Sequence, residues 1–434
     1  MDEAKSHLID VGQLRRGLFI QLDLGWMDHP FPRGSFKLTT DEQIRTVRAL
    51  GLTQVRYFPD RSDPPEQAEG QGGLAAPGTA LQGPAGMRRQ PGAQDRLQAE
   101  AQTLCDQRRQ QLLIQQSSLR RCERHFGEAL QLYQRVLDEA AMRPVPMREQ
   151  CQALVAGCVA EILVDGEATI RLLSEGSGEQ QAAHPVQVMV LALLLGRALG
   201  LPAQDLTTLG LAALLHDLGK QQLPERVRLD DQRLDPQALA QYRSHVLASV
   251  QLGRRMGLPD DALAAIAQHH EMADGSGFPA GLQGAQMGTG GKVLALVNHY
   301  DRLCNPPLLA QALTPHEALA RIFALHKARF DGKVLGAFVR MMGVYPPGSI
   351  VELVNERYAM VVSVNSTRPL RPRVLVHDSA VPPEQALVLD LETAPELGIR
   401  RSLRAAQLPS AARAYLAPSA RVRCFYEQQR QTPA

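Results

Sequence analysis

The sequence predicts a mainly α-helical protein with a small α/β module at its N-terminus and a short β-rich extension at its C-terminus. Aromatic residues make up only 4% of the 434 residues, whereas Ala, Leu, Gln and Arg are abundant, which favours helices. Apolar residues recur at helical spacing through most of the chain and alternate with polar residues mainly near the C-terminus.

The N-terminal segment, residues 1–62, is predicted to be the small α/β module. It mixes short apolar runs with one helix, TTDEQIRTVRALG, which has a Thr/Asp start and a Gly stop. Residues 63–93 are rich in Gly, Pro, Gln and Ala and nearly lack large apolar side chains. This composition predicts a flexible linker.

Residues 94–146 are predicted to be a helical connector, because leucines recur there at helical intervals among charged residues. We favour a plain amphipathic helix, with a coiled-coil stalk or a dimerisation helix as the alternative. The alternative would make the protein a homodimer.

Residues 147–345 read as a run of helices that holds most of the histidines. The final segment, residues 346–434, contains SIVELVNERYAMVVSV, in which apolar and polar residues alternate around a short Asn/Glu/Arg turn. This pattern predicts a β-hairpin, and PRVLVH and ALVLDL are predicted to be further strands.

The composition argues against several classes of partner. A net charge of +2 and a pI near 8.2 predict no strong field for a nucleic acid polymer or an anionic membrane. The most apolar run, residues 186–201, is interrupted by Arg197 and falls short of the ~20 residues of a membrane span, so it is predicted to be a core helix.

Six scattered cysteines and no signal-peptide pattern predict reduced thiols in the cytoplasm.

The central chemical motif is LLHDLGK at residues 214–220. His216 and Asp217 follow an apolar helix, and Lys220 lies about one helical turn later. A buried His–Asp pair is costly unless it is paired or binds a metal, and imidazole with carboxylate suits Fe, Mn, Ni or Zn. The dipeptide alone favours a structural role.

Four more histidines change that interpretation. His184, His245, His269 and His270 each lie beside an apolar stretch on successive predicted helices. A lone histidine on an apolar face is usually a core or capping residue, but five histidines with one aspartate in this arrangement favour a metal site.

The order of these residues, with HHEMADGSGFPAGL at 269–282, closely resembles the HD-GYP family of bacterial phosphodiesterases, over about residues 180–340. In that family, helices carry the ligands of a two- or three-iron (or manganese) centre that hydrolyses cyclic di-GMP. Phe278 stands where the family usually has tyrosine. The stretch GLFIQLDLGWMDHPFPRGSF also resembles a small domain that often precedes HD-GYP in proteobacteria.

The resemblance implies an HD-type helical metal-binding domain with two divalent metal ions, Fe or Mn, and cyclic di-GMP as the ligand. Two neighbouring metals can bind phosphate oxygens and activate water. One metal would be held by His184, His216 and Asp217, with Asp217 bridging to a second metal held by His245, His269 and His270.

The resemblance also assigns catalytic and substrate-binding residues. Asp217 and Lys220 would be catalytic, with Lys220 facing the phosphate or orienting the attacking water. The glycine-rich loop would line the nucleotide pocket, since glycines let a backbone approach a ligand closely. Its predicted substrate-binding residues are Asp274, Gly275, Gly277, Phe278 and Pro279.

Three departures from the family pattern bear on activity. The family's last metal ligand is the first aspartate of a D-x-x-D-A pattern, and Asn298 stands in that place here, with Asp301 in the second. Asp301 or His299 could compensate for the lost charge, or Asn298 could face elsewhere. The basic segment that usually follows is replaced by the uncharged CNPPLLAQA. Gln180 stands where trinuclear members have glutamate, so two metals are predicted.

Two functions follow from these observations. The first is a cyclic di-GMP phosphodiesterase producing pGpG, GMP or both, with activity reduced by Asn298. The second is a weak or inactive regulator that binds the nucleotide or another protein of cyclic di-GMP signalling. A phosphohydrolase acting on a different nucleotide is a third, less favoured interpretation.

Overall fold

The computed structural model describes residues 6–22, 31, 35–64, 93–164, 168–174, 180–229, 234–365, 370–394 and 396–428. Nearly all of the predicted linker, 63–93, lies outside these residues, as does much of the GLFIQLDLGWMDHPFPRGSF stretch. The chain divides into two compact units, one of residues 1–114 with 378–387, and one of residues 115–377 with 388–434.

The first unit contains a small antiparallel sheet with one short helix. Its strands follow the order β1-β4-β2-β3. The helix is closed at its start by a reciprocal capping box between Thr40 and Gln43, and it buries Ile44 and Val47. The elements are β1 His7–Asp10, β2 Phe19–Gln21, β3 Ser35–Lys37, α1 Asp41–Ala49 and β4 Gln54–Tyr57.

A long helix, α2, spans Ala93–Glu139 and corresponds to the predicted connector. The second unit then adds a helical core. Its helices are α3 Pro144–Leu163, α4 Gln180–Ala198, α5 Ala203–Leu215, α6 Glu225–Leu229, α7 Pro236–Arg243, α8 His245–Met256, α9 Asp260–Gln268, α10 Thr289–Cys304, α11 Pro315–Leu325 and α12 Gly332–Met342.

Helix α4 is the centre of this core. Its apolar side chains between Val186 and Leu195 are almost completely buried, as expected for a helix that is hydrophobic on all sides. It packs against α5, α10 and α12. None of the described helices combines the length and apolar character needed to cross a membrane.

An antiparallel sheet of seven strands completes the second unit. The predicted hairpin is present as the neighbouring strands β6 and β7, and the C-terminal part is β-rich as predicted. The elements are β5 Ala168–Leu172, β6 Ile350–Leu353, β7 Tyr358–Val364, β8 Arg373–Val376, β9 Val388–Asp390, β10 Ile399–Leu403, α13 Ser410–Leu416 and β11 Cys424–Gln428.

One strand contradicts the sequence prediction. The sequence predicts a run of helices over residues 147–345, but Ala168–Leu172 within this range forms β5. This strand pairs with β11, about 250 residues further along the chain, from Ala168 opposite Gln428 to Leu172 opposite Cys424. Such a short segment becomes a strand because of its distant partner, which local periodicity does not reveal.

Candidate metal and catalytic site

Three helix ends bring the predicted ligands together. Helix α5 ends at Leu215, immediately before His216 and Asp217. Helix α8 begins at His245, and α9 ends just before His269. Because the helix ends converge, side chains far apart in sequence meet at one buried point.

Three of the histidines are oriented by their own local backbone. The Nδ1 atoms of His216, His245 and His269 lie 2.7, 2.6 and 2.6 Å from the carbonyl oxygen three residues earlier. A carbonyl only accepts, so each Nδ1 carries the proton and donates it. Each Nε2 is then left with a free lone pair, the state in which a neutral imidazole binds metal.

Asp217 lies at the centre of the cluster. Its Oδ2 atom is 3.6 Å from His184 Nε2 and 3.4 Å from His216 Nε2. Its Oδ1 atom is 3.4 Å from His245 Nε2 and 3.6 Å from His269 Nε2. One carboxylate therefore faces two groups of imidazoles, one with each oxygen.

These residues form two candidate metal sites among the described residues. One consists of His184, His216 and Asp217, and the other consists of Asp217 with His245, His269 and His270. In each group the potential ligand atoms lie within 4.8 Å of one another. The two groups share Asp217, in the arrangement that the resemblance implied.

The donor atoms fit divalent cations. Buried atoms without a hydrogen-bond partner include the Nε2 atoms of His184, His216 and His270, and Asp217 Oδ1. The Nε2 atoms of His245 and His269 lie 3.3 Å apart, although both carry lone pairs. Buried polar atoms are normally satisfied, and a cation would satisfy these nitrogens and oxygens together.

Burial keeps the imidazoles neutral. Burial lowers the pKa of His216 and of His270 well below the usual range. It also lowers the pKa of His245 to about 3, and the nearby Lys220 ammonium acts in the same direction. At neutral pH these rings are therefore uncharged, the state that metal binding requires.

Asp217 and Lys220 form a close pair, with 2.6 Å between Asp217 Oδ2 and Lys220 Nζ. Burial alone would raise the pKa of Asp217, but the Lys220 ammonium attracts the carboxylate and holds that pKa below its usual range. Burial lowers the pKa of Lys220, and Asp217 opposes that change. The carboxylate is therefore ionised.

His184 is oriented differently from the other histidines. Its Nδ1 atom lies 2.6 Å from Asp301 Oδ2, on α10. Asp301 is 2% exposed. Carboxylates that hold a metal-binding histidine in this way are typical of metal sites. The sequence offered Asp301 only as a substitute ligand, and the structure places it behind His184.

Asn298 is also buried near the cluster. Its Nδ2 atom lies 3.4 Å from the carbonyl oxygen of His269, and its Oδ1 atom is buried without a hydrogen-bond partner. His299, the other suggested substitute, instead contacts His326, with 3.1 Å between His299 Nε2 and His326 Nδ1.

The loop after His270 has a fixed shape. The Glu271 carboxylate accepts hydrogen bonds from the backbone N–H groups of Ala280 and Leu282, at 2.6 and 2.8 Å. Gly275 has φ +81°, and a Cβ atom at Gly277 would lie 2.3 Å from a backbone nitrogen. Both glycines are therefore required by the backbone.

The polar and aromatic residues of this loop contact the protein itself. Asp274 accepts hydrogen bonds from the backbone and the hydroxyl of Ser276, at 3.0 and 2.6 Å. Phe278 stacks on the His270 ring, with 4.4 Å between centroids and an 18° interplanar angle. Pro279 is exposed. Substrate binding by this loop stays a prediction.

A cavity of about 150 Å³ opens beside the cluster. His184, Asp217 and Lys220 line it, together with two arginines, Arg228 and Arg302. The sequence analysis missed both arginines. A basic residue directly after Asp301 was visible in the sequence, but nothing local indicated that Arg228 faces the same cavity.

Comparisons with known proteins show which families and relatives this chain is similar to. Residues 158–334 match the model of the HD domain family, and residues 6–151 match a domain of unknown function, DUF3391. Residues 158–334 are therefore similar to HD domains, and the fold is mainly helical, as predicted.

The relatives of this chain point to a more specific resemblance. The cyclic di-GMP phosphodiesterase PA4108 of Pseudomonas aeruginosa is 29% identical over 86% of this chain and 85% of that protein. The cyclic di-GMP phosphodiesterase response regulator RpfG of Xanthomonas campestris is 29% identical over 34% of this chain and 39% of its own length. These matches confirm the resemblance to cyclic di-GMP phosphodiesterases.

A search of solved structures found Bd1817, an HDG"Y"P protein from Bdellovibrio bacteriovorus. It superposes with a TM-score of 0.42 at 16% identity, covering 77% of this chain and 98% of that chain.

Proposed function

We propose that this chain hydrolyses cyclic di-GMP to pGpG, GMP or both, using two divalent metal ions, iron or manganese. The observation that carries the proposal is the pair of ligand groups that share Asp217. The potential ligand atoms of each group lie within 4.8 Å of one another, and three of the histidine Nε2 atoms are buried without a hydrogen-bond partner. The names of the relatives support this choice of substrate.

The proposal gives each group a defined part. His184, His216 and Asp217 would hold one ion, and the remaining three histidines would hold the other with Asp217. When bound, the ions would supply Lewis acidity for the phosphodiester and for water. The Lys220 ammonium, held 2.6 Å from Asp217, would donate hydrogen bonds to a phosphate oxygen or orient the attacking water.

Binding of the substrate's phosphates rests on the cationic cavity. Active members of the family use a basic segment that is uncharged here. Arg228 and Arg302 line the cavity beside Lys220 and would serve the same purpose. Charge-assisted hydrogen bonds from guanidinium groups to phosphate are strong and directional.

A second candidate is nucleotide binding with little turnover, as a regulator. Asn298 favours it, because an amide at that position supplies less charge to the metals than the family's aspartate. In either case we propose a cytoplasmic protein, in keeping with its free, buried cysteines. Other proteins of cyclic di-GMP signalling, or a second copy of the chain, are proposed partners.

Metal analysis combined with hydrolysis assays tests the proposal. The purified chain, reduced and supplied with Fe²⁺ or Mn²⁺, is expected to hold about two ions and to convert cyclic di-GMP to linear products, while cyclic di-AMP serves as the control substrate. Binding of metal and nucleotide without turnover would favour the regulator. Fewer than one ion per chain and no turnover would exclude the enzyme.

The Arg228→Ala variant tests the cavity separately. Losing one charge-assisted hydrogen bond, worth about 1.5–3 kcal/mol, should raise KM about tenfold or more while metal content stays the same. Arg226→Ala is the matched control, because this neighbouring arginine is exposed. An unchanged KM for Arg228→Ala would remove that residue from the proposed phosphate site.

A further inference from the structure

The segment just before the C-terminal strand β11 is bonded to the metal-site helices. The carbonyl and N–H of Val422 both contact the Asn305 side chain, which follows directly after α10. The N–H of Cys424 donates to Gln187 Oε1, 2.9 Å away, on α4. The backbone of residues 422–424 therefore connects α4 and α10 close to His184.

The Asn305 amide has one possible orientation. Its Oδ1 atom accepts the N–H of Val422 at 2.9 Å, and a backbone N–H can only donate. The Nδ2 atom must therefore be the one that lies 2.9 Å from both the Val422 carbonyl oxygen and Asp301 Oδ1. Both Nδ2 hydrogens are used, one for the C-terminal segment and one for Asp301.

The bonds continue to the metal cluster. Asp301 Oδ1 accepts a hydrogen bond from Asn305 Nδ2 at 2.9 Å, and Asp301 Oδ2 accepts one from His184 Nδ1 at 2.6 Å. With both oxygens occupied, the plane of the carboxylate is fixed, and so is the direction of the His184 ring. His184 Nε2 then faces Asp217 across 3.6 Å.

We infer that Asn305 is a positioning residue, through which the C-terminal segment 422–424 fixes Asp301 and thereby the metal-binding direction of His184. The C-terminal extension is thus part of the metal site, although it contributes no ligand. Outer-shell partners of a metal-binding histidine commonly change metal affinity by 10–100-fold. The inference rests on the proposed metal binding by His184.

Mn²⁺ titration of the full-length chain, followed by calorimetry, tests this role. Asn305→Ala should weaken the binding of one ion by about 10-fold or more and leave the other within about twofold. Asn305→Asp keeps the acceptor for Val422 but places a carboxylate beside Asp301, and it should weaken the same ion at least as strongly. This second variant keeps the test valid if Asn305→Ala folds poorly.

Gln187→Ala is the matched control, since it removes a bond to the same segment without touching Asp301. It should lower the melting temperature but change Mn²⁺ affinity less than about twofold. Adding Asn305→Ala to the Asp301→Asn variant should lower Mn²⁺ affinity little further, because both substitutions interrupt the same series of hydrogen bonds to His184. Unchanged Mn²⁺ affinity in Asn305→Ala, or an equal loss in Gln187→Ala, would overturn the inference.

This outcome is separable from the proposed hydrolysis. A wild-type chain that binds Mn²⁺ but leaves cyclic di-GMP intact would contradict the proposed function, and the effect of Asn305→Ala on Mn²⁺ binding would still be measured. A wild-type chain that binds no Mn²⁺ would contradict both.

Discussion

The histidines of the candidate metal centre are held in place by two different means. The rings of His216, His245 and His269 each donate to a backbone carbonyl three residues earlier. His184 instead depends on the side chain of Asp301, 117 residues away. Orientation by the local backbone is insensitive to distant sequence, whereas orientation by a remote carboxylate can be changed by one substitution.

The largest expected effect comes from the residue that both groups share. In Asp217→Asn, the carboxylate that the two ligand groups share is replaced by a neutral amide with one oxygen, so both ions should be lost and turnover should fall to background. Elemental analysis and hydrolysis of cyclic di-GMP would measure this. The exposed Asp260→Asn is the control. Retention of two ions would contradict the shared role of Asp217.

The next effect separates the two means of orientation. Asp301→Asn removes the carboxylate behind His184, and one ion should bind about 10–100-fold more weakly. Ile266→Val is the matched control, because the carbonyl that orients His269 is backbone and survives the change. Calorimetric Mn²⁺ titration would measure both. Equal losses of Mn²⁺ affinity in the two variants would mean that the two means of orientation do not differ in their sensitivity to substitution.

A smaller effect is expected at Asn298, whose Oδ1 atom is buried without a hydrogen-bond partner. Asn298→Asp should raise Mn²⁺ affinity by about tenfold, equivalent to about 1.4 kcal/mol, if that oxygen faces an ion. In chelator the same variant should melt at a lower temperature, because it buries a carboxylate without a cation. Destabilisation in chelator and in Mn²⁺ alike would show that the residue is no ligand.

The smallest effect concerns the metal-free protein. Burial lowers the pKa of His216, His245 and His270. Below the unfolded pKa of about 6.5, the unfolded chain takes up protons that the folded chain does not, so stability falls as pH falls from about 6.5 towards 3. Between pH 7.5 and 6.5 the loss should be a few tenths of a kcal/mol per histidine, on the order set by linkage.

Urea unfolding in chelator at several pH values measures this dependence. His299 serves as a positive control, because burial also lowers its pKa, to about 4. In the His299→Gln variant, the free energy of unfolding should therefore change less steeply with pH. A metal-free protein that becomes more stable as pH falls from 7.5 would mean that the cluster histidines are charged when folded.

Sequence reasoning succeeded where the signal was local. The His–Asp dipeptide at 216–217 and the His–His pair at 269–270 lie at helix ends. The apolar periodicity and the glycine-rich loop indicated these helix ends in the sequence. The fold class followed from the same periodicity. The ligand roles of these residues stay predictions, although the structure brings their side chains together.

The missed features are those that depend on distant partners. Strand β5 exists because β11 pairs with it, and Asp301 lies behind His184 only because α4 and α10 pack together. Arg228 reaches the cavity from a helix of five residues that has little periodicity to read. None of these relations leaves a pattern within one stretch of sequence.

The helix ends that build the cluster also have an electrostatic consequence. His216 and His269 follow the last turns of α5 and α9, where carbonyl groups point outward and the helix dipole is negative. Each such end is equivalent to roughly half a negative elementary charge. The N-terminus of α8, at His245, opposes them with about half a positive charge. The three ends together leave about half a negative charge from the backbone alone, a contribution that favours cations and that no side-chain substitution removes.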